Sequence, residues 1–99
     1  MSILLIGLVT LANIMAFEPP AVPRRYDHEP RPGSYYVVER SPATVRKRCG
    51  LDLDVIFACT VKLPIKGKVY VIYIRNDLTP EAHAYALRHE KAHVNGWRH

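Results

Sequence analysis

Acidic residues are few in this chain: nine Asp and Glu stand against fourteen Lys and Arg, a net charge of +5 over 99 residues. A balance of that sign suits nucleic acid, an anionic membrane surface, or solubility alone. The basic cluster Arg40, Arg46, Lys47 and Arg48 lacks interleaved aromatics, which favours a solvated face over a nucleic-acid contact. Cysteine is scarce too. Cys49 and Cys59 are ten apart with no C-x-x-C pair, so they match no metal-binding spacing. No apolar run reaches the ~20 residues that a membrane-spanning helix needs. The charge-free stretch 3–17 has the length of a signal-peptide core, although no Lys or Arg precedes it and Ile14 stands three residues before the best cleavage point, after Ala16. Arg24, Arg25 and Arg31 follow it, against the orientation of an uncleaved anchor. Residues 1–17 therefore read as an export signal or anchor, with a buried core helix as the alternative.

What is present is a folded domain of ordinary composition, 48% hydrophobic and 23% charged. Residues 18–34 hold Pro19, Pro20, Pro23, Pro30 and Pro32, a density that fixes an extended arm on the surface. Tyr35–Glu39 is aromatic and β-branched, a short strand ended by Pro42. Leu51–Leu63 alternates apolar and polar, with Thr60 and Lys62 on the outward side, and reads as a half-buried strand. Pro64–Lys68 is a turn, and Val69–Ile74 a second strand pairing as an antiparallel hairpin. Thr79 is an N-cap, Pro80 fits the first helical position and Glu81 suits the positive end of the dipole, so a helix runs from Pro80 to about Asn95. Ala82, Tyr85, Ala86, His89 and His93 share its sheet-facing side. The expected fold is α+β: a short antiparallel sheet on one C-terminal helix over 35–99, preceded by the arm over 18–34 and the hydrophobic segment over 1–17. In an exported protein Cys49 and Cys59 would form a disulfide; in a cytoplasmic one they are two buried thiols.

The chain ends on His89-Glu90-Lys91-Ala92-His93-Val94-Asn95-Gly96-Trp97-Arg98-His99, the pattern H-E-x-x-H-x-x-G-x-x-H. On a helix His89 and His93 lie one turn apart and reach one metal ion, while Glu90, rotated by about 100°, stands beside it as a general base for a metal-bound water. Gly96 is placed for a left-handed reversal that returns His99 as a third ligand. Three protein ligands and a water make the open arrangement of catalytic zinc. A chance H-E-x-x-H is expected in about 1% of shuffled chains, and Gly96 with His99 lowers that to of order 10⁻⁵. The plainer alternative is a polar helix with surface histidines. His28 and His83 fall outside the pattern and read as solvated.

The segment resembles the zincin metallopeptidases, and His89, Glu90, His93, Gly96 and His99 match the metzincin signature. No Met follows His99, since Met1 and Met15 lie far upstream, so the likeness is to a reduced form without a Met-turn. The resemblance implies a Zn²⁺ cofactor held by His89, His93 and His99, with Glu90 as base. It implies hydrolysis of a peptide or protein substrate that lies along a strand edge. Tyr70, Tyr73 and Tyr85 are candidate oxyanion donors. The expected location is exported, periplasmic or membrane-associated through residues 3–17, with cytoplasmic as the alternative. The rival function is a zinc-stabilised, inactive accessory module of a phage, conjugation or cell-envelope system.

Overall fold

Alternation and turn chemistry organise the chain into one mixed sheet with a helix on each face. The computed structural model describes residues 2–5, 21–50 and 56–98. Its strands are β1 (Ser2–Leu5), β2 (Tyr35–Arg40), β3 (Ile56–Lys62) and β4 (Tyr70–Arg75), in the order β1-β3-β4-β2. Its helices are α1 (Pro42–Cys49) and α2 (Pro80–Val94). The expected hairpin is present, with β3 and β4 antiparallel from Ala58↔Ile74 to Lys62↔Tyr70. β1 joins antiparallel on the far side of β3. These residues overlap the start of the expected signal segment; residues 6–17 lie outside the described residues. No helix among the described residues is long and apolar enough to cross a membrane.

Two features differ from the sequence reading. β2 pairs with β4 in parallel, from Tyr35↔Tyr70 to Arg40↔Arg75, so the sheet is mixed rather than antiparallel. The cause is α1, which carries the chain from β2 across to β3 and leaves a gap that β4 fills. Its signals are local. The Ser41 side chain accepts from the Thr44 N–H, Pro42 opens the helix, and Gly50 closes it at φ 70°. Arg46, Lys47 and Arg48 fill the last turn, where cations favour the negative end of the dipole.

β3 is also not half-buried. Phe57, Ala58, Cys59 and Thr60 are all buried, because successive side chains face opposite sides and each side carries a helix. Ala58 and Ile74 pack under α2 with Ala86, bordered by Leu78, Ala82 and Leu87. Cys59 packs under α1 with Val45 and Cys49, bordered by Val61 and Tyr73. A disulfide joins Cys49 to Cys59, with a Cα–Cα distance of 5.8 Å, and fastens α1 to the sheet.

The arm, described from residue 21, is docked along α2 rather than loose. After a 3₁₀ turn over Arg24–Tyr26, Asp27 pairs with Arg88 and Glu29 with Lys91 at 2.7 Å. The Asn95 amide donates to the carbonyls of Tyr26 (2.9 Å) and His28 (2.8 Å). The Tyr35 hydroxyl donates to Glu29. Pro23, Pro30 and Pro32 bring no backbone N–H, so the segment has fewer donors than carbonyls, and the Asn95 amide supplies the donor for two of them.

Candidate functional site

His89, Glu90 and His93 lie on α2, as the start signals of the helix dictate. Thr79 Oγ1 accepts from the Ala82 N–H at 3.2 Å, Pro80 opens the helix, and Glu81 occupies the first turn. One face then meets the sheet. Ala86, His89, Glu90, Ala92 and His93 are its buried residues. Tyr85, expected among them, is exposed. By helical angle Tyr85 falls between Ala92 and His89, so angle alone does not expose it, and the buried stripe also takes in Glu90. His89 and His93 are 2% and 4% exposed, which removes the reading of surface histidines.

The two imidazoles converge, with His93 Nε2 3.1 Å from His89 Nε2. His93 Nδ1 lies 2.7 Å from the Trp97 carbonyl. A carbonyl only accepts, so Nδ1 carries the proton and Nε2 turns a lone pair toward His89. Two nitrogens 3.1 Å apart and each ~2.0–2.1 Å from one ion subtend about 100°, close to tetrahedral. The donor pair therefore fits a zinc ion, and the carbonyl behind His93 is the support that metal-ligating histidines have.

Gly96 makes that support possible. At φ 106° it occupies backbone that an L side chain rarely adopts. The Gly96 N–H bonds to the His93 carbonyl at 3.0 Å and the Trp97 N–H to the Ala92 carbonyl at 3.1 Å. This pair of reversed bonds closes the helix as a Schellman motif. The same reversal stacks the Trp97 ring on His93, centroids 4.9 Å apart and planes 11° from parallel, and sets it edge-on to His89 at 5.1 Å. His99 lies outside the described residues. Among the described residues no group of three or more His, Cys, Asp or Glu side chains is gathered to hold a metal ion.

Glu90 is fully buried. Its Oε1 accepts from Thr60 Oγ1 at 2.8 Å, and the same hydroxyl lies 3.2 Å from the Glu90 carbonyl. Thr60 is the residue that sequence reasoning missed. Alternation put it on the outward side of β3, and only α2 on that side makes it interior. Tyr73 packs with the α1 cluster on the opposite face of the sheet, away from Glu90, so it is not placed to donate there. His83 Nε2 lies 2.9 Å from Glu39 on β2, and His28 is exposed in the arm.

The electrostatics beside the site are those of the docked arm. The Arg88 hydrogen bond holds the Asp27 carboxyl below its ordinary range, and the Lys91 hydrogen bond does the same for Glu29. The bond that Lys91 donates to Glu29 raises Lys91 in turn. These charges line a groove of about 320 Å³ that lies against Ala84, Arg88 and Lys91, on the side of α2 turned away from His89 and His93. Compared with known protein families, curated proteins and solved structures, the chain gives no match.

Proposed function

We propose that the chain is a small zinc metallopeptidase that hydrolyses a peptide or protein substrate. The observation that supports this is the convergence of His89 Nε2 and His93 Nε2 at 3.1 Å on a buried helix face that also carries the buried Glu90. His89 and His93 would hold the ion, with His99 as the expected third ligand. Zinc would supply Lewis acidity to the scissile carbonyl and the attacking water. Glu90 accepts a proton from that water as its oxygen bonds to the carbonyl carbon. It then delivers the proton to the amine nitrogen as the C–N bond breaks. Trp97 keeps His93 in one tautomer and one orientation through its carbonyl and its ring.

Export is part of the proposal. The disulfide is compatible with an oxidising compartment, and residues 3–17 would direct the chain to the envelope or hold it at a membrane. A second reading, a zinc-stabilised accessory module without catalysis, is favoured by one observation: the groove beside α2 opens on the side away from the histidines.

The test is metal analysis joined to a peptide-library assay on wild type and Glu90→Gln. One zinc per chain in both, with hydrolysis only in the wild type, is the expected result. A folded protein that takes up no added zinc overturns the proposal. A zinc-loaded wild type that cleaves nothing moves the assignment to the accessory module.

A further inference from the structure

We propose that Thr60 is the positioning residue for the Glu90 carboxylate. The inference rests on the hydrolase reading and adds to it the part that aims the base. A glutamate side chain turns about three bonds, and a general base works only when its oxygen is held within about 0.5 Å of its working place. Helix position alone sets where the Glu90 Cα lies, not where its carboxylate points. The Thr60 hydroxyl supplies the second constraint. It reaches Glu90 Oε1 at 2.8 Å and the Glu90 carbonyl at 3.2 Å, so it grips the same residue at both ends. The hydroxyl has one proton, and the bond to the carboxyl oxygen is the shorter of the two.

Thr60 is itself held from every side. Its β-branched side chain is stiff about χ1. It is 4% exposed, it sits in the interior of the ladder opposite Ile72, and its neighbour Cys59 is tied through the disulfide to α1 on the other face. Any displacement of Thr60 has to move the central strand. A valine would fill the same volume and suit a strand equally well, so packing does not explain a hydroxyl here. What the hydroxyl adds is one directed donor, and the acceptor it meets is the carboxylate of the motif.

Three proteins test this in the zinc-loaded state: wild type, Thr60→Val, which keeps the shape and removes the donor, and Thr60→Ser, which keeps the donor. The expected kinetic result is a kcat about 10- to 100-fold lower in Thr60→Val at unchanged KM and unchanged zinc affinity, with Thr60→Ser restoring most of it. A purely structural role would instead lower thermal stability and spare kcat in the remaining folded protein. A Thr60→Val protein with wild-type kcat, or a Thr60→Ser protein as impaired as Thr60→Val, overturns the proposal.

A second readout needs no substrate, so it separates this inference from the hydrolase reading. In protein labelled with ¹³C at glutamate carboxyls, the Glu90 signal moves in Thr60→Val and stays in place in Thr60→Ser. An unmoved Glu90 signal in Thr60→Val rejects Thr60 as the residue that orients it, whether or not the wild type cleaves a peptide. A signal that moves in Thr60→Val, when the wild type cleaves nothing, keeps the contact and rejects the catalytic reading.

Discussion

Replacing Gly96 by alanine tests the link between one backbone angle and the candidate metal site. Gly96 has φ 106°, and a Cβ built there meets only Tyr26 Cε1, at 4.0 Å, an ordinary contact. The substitution therefore costs no steric clash, and its effect is confined to the backbone. A non-glycine residue in the left-handed region loses about 1–2 kcal/mol, and sparsely populated regions reach about 3. The stiffer unfolded chain of the alanine variant offsets about 0.4–1 kcal/mol. The net loss is about 1–2 kcal/mol, which lowers Tm by roughly 5–15 °C for a domain of this size. Relaxation of the strain also draws the Trp97 carbonyl from His93 Nδ1, and loss of such support weakens zinc binding about 10-fold or more. The single Trp of the chain is Trp97 itself, buried and stacked on His93, so its fluorescence reports both unfolding in denaturant and zinc titration. D-Alanine at the same position, introduced by chemical synthesis, adds the same methyl group without the strain and is expected to behave as glycine does. An L-alanine variant within about 0.3 kcal/mol of wild type, with unchanged zinc affinity, would refute the argument.

Three further outcomes are expected. Reduction of Cys49–Cys59 opens a loop of ten residues and removes about 3 kcal/mol by the chain-entropy relation; an unchanged Tm after reduction verified by thiol titration contradicts this. The carboxyls of Asp27 and Glu29 are held below their ordinary range by Arg88 and Lys91, so their contribution is complete above that range and is lost as the pH falls through the lowered values, below about pH 4. Amide exchange at Tyr26–Glu29 should rise there before α2 opens, and an arm as protected at pH 3 as at pH 6 disproves the pairing as its hold. His99→Ala is expected to weaken zinc binding by at least ~10-fold at unchanged stability; equal affinity sends the search for the third ligand to another side chain.

Much of the site was legible because its signals are local. Thr79, Pro80 and Glu81 specify a helix start within three residues, and the spacing of His89 and His93 needs only the helical repeat to bring them together. Gly96 marked the reversal that closes the helix. α1 is equally marked, by Ser41-Pro42 and Gly50, but in the sequence Pro42 reads as the end of a strand and Arg46–Arg48 as part of a solvated basic face. Thr60 could not be found in this way. A threonine in an alternating strand is a surface residue unless a second helix covers that side.

The sequence by itself determined α2, its capping, the β3–β4 hairpin and the placing of His89, Glu90 and His93 on one helix, since each depends on residues within a few positions of one another. The tertiary structure alone decided that β2 runs parallel to β4, that both faces of the sheet are covered, and that the arm is fastened along α2 by Asp27, Glu29 and Asn95. It also brought Thr60 to Glu90 across 30 residues of chain. The reason is physical: period and caps act through bonds one helical turn long, whereas burial of a hydroxyl against a carboxylate depends on which surface each amphipathic element finds to cover, and the whole chain has to fold before that is settled.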